Sequence, residues 1–165
     1  MAKVPLCFYI LLVILAVIQT IFYYPQLTDT VASHFGGSGR ANGWSSKETF
    51  FLIHFGAILL ITGISLLFPL MLRHVPASII NLPNKKYWLS EERREQTFMF
   101  IKGKMYWFGV VNLLLIICTI QLAINANLHP KEGFSSFAMW MVLGAYLICL
   151  LIWIITLITR FRKPP

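Results

Sequence analysis

Leu6–Tyr24 reads LCFYILLVILAVIQTIFYY, nineteen residues without a charge, and its reading decides the class of fold. A helix of about 20 apolar residues crosses the roughly 30 Å of hydrocarbon in a bilayer. Lys3 ahead of the run also fits a cleaved signal peptide, but no small-x-small site follows. Phe22-Tyr23-Tyr24 has the character of an interfacial anchor, so a retained span is expected. Three further uncharged runs, Thr49–Leu72, Met105–Ala126 and Gly133–Thr159, have a similar length and composition. The fold expected is an all-α, four-helix transmembrane bundle, one integral membrane domain over 1–165. Its helices are predicted at about 5–24, 46–72, 91–126 and 134–160, with a structured loop over 25–45. Composition agrees: 58% of the residues are apolar and only 12% charged, against about a quarter charged in ordinary soluble domains.

Charge sets the expected orientation. Lys3, the segment Arg73–Lys104 and the tail Arg160, Arg162 and Lys163 hold eleven of the 14 basic residues. Arg40, Lys47 and Lys131 account for the rest. By the positive-inside rule both termini are expected in the cytoplasm of a plasma-membrane protein, and the 25–45 loop outside. The formal charge of +8 is assigned to anionic headgroups and not to nucleic acid, because most basic residues flank apolar runs. Cys7, Cys118 and Cys149 fall inside apolar runs without CxxC pairing and are read as small apolar residues.

The one long polar stretch between the first two spans is Tyr24–Lys47, YPQLTDTVASHFGGSGRANGWSSK. Pro25 stops the first helix by removing a backbone donor. Val31, Ser33 and Phe35 would share one side of an extended segment, with His34 on the other. Gly36-Gly37-Ser38-Gly39 and Asn42-Gly43 favour tight turns, so a compact loop or small hairpin is predicted. Ser45 to Glu48 fits a capping box, with Ser45 as the cap and the second helix starting near Ser46.

Pro25, Leu27, Asp29, Val31, His34-Phe35, Gly39, Gly43-Trp44 and Lys47 together resemble the pattern of a domain-of-unknown-function family of small prokaryotic membrane proteins. Its best-described relatives are immunity and signalling proteins for a sporulation-delay killing peptide. NLPNKKYWLSEERRE, after the second span, is similar to the corresponding loop of that family. Thr28 and Ala32 stand where family members often have Pro, and the chain looks to lack the second transmembrane half of full-length immunity proteins. The resemblance implies an outer loop that binds a peptide or other ligand through His34, Phe35, Gly39, Arg40, Trp44 and Lys47.

The remaining polar and small residues are read as packing devices. Gln19, Asn112 and Gln121 should hydrogen-bond between helices. Gly56, Gly63 and Gly144 should let other helices approach closely. Pro69 should end or kink the second helix. Pro76 and Pro83 exclude a continuous helix through the middle loop. Ser90 should cap the third helix, whose first three turns project from the membrane or lie along its surface. His34, His54 and His129 are weak metal candidates without HxxxH or HxH spacing, and no cofactor is expected.

Two function classes remain. No acidic residue lies inside a span and no GxSxG, HExxH or phosphate loop is present, which disfavours an enzyme. The first class is a small immunity- or sensor-like protein with a ligand-binding outer loop. The second is an accessory subunit of a larger membrane complex, associated with other membrane proteins or copies of itself.

Overall fold

The computed structural model describes residues 3–162; Met1, Ala2 and the tail from Lys163, including the two final prolines expected to be unstructured, lie outside them. Helix α1 spans Lys3–Tyr23 and closes in a short 3₁₀ turn at Tyr24–Gln26. Strands β1 (Thr30–Phe35) and β2 (Ala41–Ser46) form an antiparallel hairpin, so the architecture is mostly helical and not all-α. Helix α2 (Lys47–Thr62) passes through a π-helical turn at Gly63–Leu67 into α3 (Phe68–Leu72). A single turn, α4 (Lys85–Trp88), interrupts the middle loop, and α5 (Arg94–Leu128) and α6 (Ser136–Arg162) complete the chain. Four helical stretches, α1, α2 through α3, α5 and α6, are long and apolar enough to cross a membrane.

Helix α5 is the axis of the fold and packs against α1, α2 and α6. Its buried residues Tyr106, Val110, Leu113, Ile117, Ile120 and Ile124 are spaced alternately four and three apart. Helix α1 has the same spacing in Pro5, Tyr9, Leu12, Ala16 and Gln19. Such spacing keeps one seam facing a partner helix. Tyr9 lies beside Gly109 and Gln19 bonds to Gln121, so the two seams run parallel.

The close approach at this seam is made by Gly109. A Cβ built there would stand 2.5 Å from Tyr9 Cε2 and 2.6 Å from Ser65 Oγ. Ser65 belongs to the π turn and is fully buried, and Tyr9 Oη donates to Thr62 Oγ1 at 2.7 Å one turn above it. Irregular helix is therefore found where α1, α2 and α5 crowd together. Pro69 lies immediately below the π turn and removes the amide that would otherwise bond to Ser65. At Gly56, Gly63 and Gly144 an added Cβ meets nothing within 4 Å, so any close partner there comes from outside this chain.

Helix boundaries depart from expectation for local reasons. Ser46, not Ser45, caps α2: its side chain accepts from Thr49 N at 3.2 Å. Ser90 does not cap α5 with its hydroxyl; its carbonyl accepts from Arg93 N and Arg94 N, and the helix begins at Arg94. That end of α5 is tied down and does not project freely. Arg94 donates to the carbonyls of Arg73 and Val75, Glu95 pairs with Arg73, and Arg93 stacks on Tyr87.

Helix α6 is peripheral and has no buried residue before Phe161. It is held to α5 by Trp153 Nε1, which donates to Lys104 O at 2.7 Å, and by Tyr146 Oη, which donates to Asn112 Oδ1 at 3.3 Å. At its C-terminus Asn84 Nδ2 and Trp88 Nε1 donate to the otherwise free carbonyls of Phe161 and Arg162.

Candidate functional site

The hairpin caps one end of the helices and is held at its edge, tip and base. Val31 is fully buried and packs with Leu27, Phe50, Phe51, Ile120 and Ile124. On the outer edge of β1, Ala32 N donates to Asn127 Oδ1 at 2.7 Å, and Asn127 Nδ2 donates back to Ala32 O at 2.9 Å. A side-chain amide thus substitutes for a neighbouring strand and satisfies both groups of the edge residue.

The tip docks onto the α5–α6 connection. Gly36 N donates to Arg40 O at 2.8 Å, which closes the turn, and Gly39 takes the left-handed region at φ +78°. Phe134 N donates to Gly39 O at 3.1 Å, and Ser136 Oγ donates to Gly37 O at 3.2 Å. A Cβ at Gly39 would run into the Phe134 carbonyl, so both conformation and space require glycine. The ring of Phe35 stacks on that of Phe134 at 4.7 Å.

At the base, Lys47 N donates to Asp29 O at 2.9 Å and Lys47 Nζ pairs with Asp29 Oδ1 at 3.1 Å. The same ammonium lies 5.0 Å from the centroid of Tyr24, whose hydroxyl donates to Glu48 at 3.1 Å. Phe35, Gly39 and Lys47 are therefore engaged in building the hairpin. His34, Arg40 and Trp44 are exposed on it, Trp44 to 62%.

Residues 11–72 match the family model described as Domain of unknown function (DUF1648). The DUF1648 region takes in most of α1, the whole hairpin and α2 through α3 down to Leu72, including the motif Tyr24–Lys47. Helices α5 and α6 and the connection between them, which receive the hairpin through Asn127, Phe134 and Ser136, lie beyond it. Comparison with curated proteins and with solved structures returned no match.

Two clefts adjoin the hairpin of the DUF1648 region. One, of 720 Å³, has Arg40 and Trp44 on the strand side and Asn127, Lys131 and Glu132 on the other. The second, of 460 Å³, opens between α2 and α6 beneath the hairpin. Thr119 and Ala123 of α5 line it together with His34, His54 and Trp140. The alternation expected along β1 fails here: the register shifts on both sides of His34, and Ser33 is exposed with it instead of following Val31 inward.

His34 Nδ1 donates to Asn42 Oδ1 across the hairpin, and His54 Nδ1 donates to Phe50 O at 2.6 Å. In the neutral ring, each bond places the proton on Nδ1 and leaves Nε2 as the acceptor. The structure brings His34 and His54 to one cleft; His129 lies away from it, at the C-terminal end of α5. Among the described residues no group of three or more His, Cys, Asp or Glu is arranged around a common point that would hold a metal.

Asn127 and Phe134 are the residues of this site that sequence reasoning missed. Asn125-Ala126-Asn127 lies at the end of an apolar run, where an asparagine reads as a helix terminus. Its pairing with a strand 95 residues away has no local signal.

Proposed function

We infer that this chain is a non-enzymatic, multi-pass protein of the plasma membrane that binds an extracytoplasmic peptide on its hairpin. Both termini are cytoplasmic, a reading supported by the concentration of basic residues at the end opposite the hairpin. The observation that carries the reading is the exposure of Trp44 and Arg40 on a hairpin held at its edge, tip and base. A backbone held in place loses little conformational freedom on binding, which favours the aromatic and the guanidinium it presents as recognition anchors. Lys131 and Glu132 across the cleft supply opposite charges for a peptide backbone or side chains. The resemblance to killing-peptide immunity proteins supports a membrane-active peptide as the ligand class.

The test is survival of cells expressing the protein when challenged with secreted killing peptides, together with pull-down of labelled peptide by the detergent-purified chain. Wild-type protein should protect and bind, and the Arg40→Ala/Trp44→Ala double variant should lose both at equal membrane abundance. Protection and binding that survive the double substitution would remove the hairpin from the mechanism.

A second reading, an accessory subunit or homo-oligomer, is favoured by the exposed length of α6 and by the open glycines Gly56, Gly63 and Gly144. Bulky replacements at these glycines should release a stoichiometric partner from the protein purified out of native membranes. If no partner accompanies the wild-type protein, this reading fails.

A further inference from the structure

At the end opposite the hairpin, two cations approach one aromatic ring and line one pocket. Lys104 Nζ lies 5.6 Å from the centroid of Phe100, and the Arg160 guanidinium carbon lies 5.5 Å from the same centroid. Lys104 is on α5, one turn beyond Phe100, so its side chain reaches back along the helix toward the polar end, as a lysine does when its stem is in hydrocarbon and its head seeks the interface. Arg160 comes from the last turn of α6 and also covers Trp88 at 4.7 Å. Among the described residues neither cation pairs with a carboxylate; Glu95, which lines the same pocket, is taken by Arg73 at 2.5 Å.

The pocket around these cations has a volume of 720 Å³ and includes Met99, Phe100 and Trp107. Lys104 and Trp107 also line a second cleft of 280 Å³ that continues along the α5–α6 boundary between Val111, Leu150 and Ile152. From Lys104 to Val111 the cleft climbs about 10 Å at roughly 1.5 Å per residue, parallel to the spans. A cationic mouth at the polar end therefore leads into an apolar cleft toward the interior.

The geometry points to a binding site for an anionic phospholipid, with its phosphate between Lys104 and Arg160 and one acyl chain in the α5–α6 cleft past Trp107. Charge complementarity selects the headgroup, and the cleft selects a lipid over a soluble anion. The site is independent of the hairpin and of its ligand.

Native mass spectrometry of the full chain in mild detergent, titrated with phosphatidylglycerol, phosphatidylcholine or inorganic phosphate, tests this. One phosphatidylglycerol should be retained in preference to phosphatidylcholine, and Lys104→Gln/Arg160→Gln should weaken its retention about tenfold or more. Lys85→Gln/Lys86→Gln, which removes two exposed cations from the same end, should leave retention unchanged. Arg160→Gln alone, at an exposed position, should weaken retention severalfold and serves if the double variant does not fold. Equal retention of both lipids, an unaltered Arg160 variant, or an equal loss in the Lys85/Lys86 variant would overturn the site. Displacement of the lipid by millimolar inorganic phosphate would assign it to a soluble anion.

Discussion

Asn127, in the last turn of α5, exchanges two hydrogen bonds with the backbone of Ala32 in β1, at 2.7 and 2.9 Å. The same amide nitrogen also donates to Ala123 O at 2.8 Å, so the side chain is oriented by its own helix before it meets the strand. The hairpin is thereby coupled to the central helix of the bundle, outside the DUF1648 region that contains the hairpin itself.

Replacing Asn127 by Leu keeps the branched side-chain skeleton and removes both bonds, leaving the Ala32 amide without its partner. A loss of about 1–3 kcal/mol is expected, concentrated in the hairpin. Hydrogen exchange should show faster exchange at 30–35 with the spans little changed; unaltered protection of β1 would mean that Asn127 does not hold it.

Gly109→Ala should be the most damaging of the glycine-to-alanine changes within the spans. Its Cβ would meet Tyr9 and Ser65 at 2.5 and 2.6 Å, and overpacking of this kind costs about 1–3 kcal/mol. At Gly56, Gly63 and Gly144 the same change meets open space and should be neutral or slightly stabilising for the isolated chain, because alanine favours helix. Thermal unfolding in detergent ranks the four; equal effects would refute the assigned seam.

Gln19 Nε2 donates to Gln121 Oε1 at 2.8 Å inside the α1–α5 seam. Bonds of this kind between membrane helices contribute about 0.6 kcal/mol on average and up to about 1.7 kcal/mol. A double-mutant cycle with Gln19→Leu and Gln121→Leu should return a coupling energy in that range. A coupling indistinguishable from zero would show that the two amides act independently.

Arg40→Ala and Trp44→Ala should leave stability within about 0.5 kcal/mol, as expected for surface positions. Circular dichroism and melting of the purified variants check this. A melting point lowered by many degrees would make these residues part of the scaffold, and would remove the basis for reading their loss of activity as a loss of recognition.

Much of this architecture is legible one segment at a time. An uncharged run long enough to cross hydrocarbon needs no partner to be recognised, so the four spans were expected within a few residues of their ends. The turn chemistry of Gly36 to Gly43 predicts a compact loop or small hairpin because positive φ and tight closure are local properties. Pro69 was expected to end or kink the second helix; the irregular turn instead lies before it, at Gly63–Leu67, and helix continues through it to Leu72.

What one residue contributes to another segment is a different matter. Gly56, Gly63 and Gly144 have the composition of packing sites, yet the close approach is at Gly109, because that glycine lies on the face of α5 that meets Tyr9 and Ser65, whereas the other three, on other elements, adjoin open space. The six motif residues look alike as candidates, but Phe35, Gly39 and Lys47 are engaged by Phe134, the α5–α6 connection and Asp29, leaving His34, Arg40 and Trp44 exposed. The sequence by itself determined four helices long and apolar enough to cross a membrane and a tight turn between the first two, since hydrophobic length and backbone preference are summed along the chain. The tertiary structure alone decided which glycine packs, that Asn127 completes the edge of β1, and which side chains remain free, since these depend on faces brought together across as many as 98 to 102 residues.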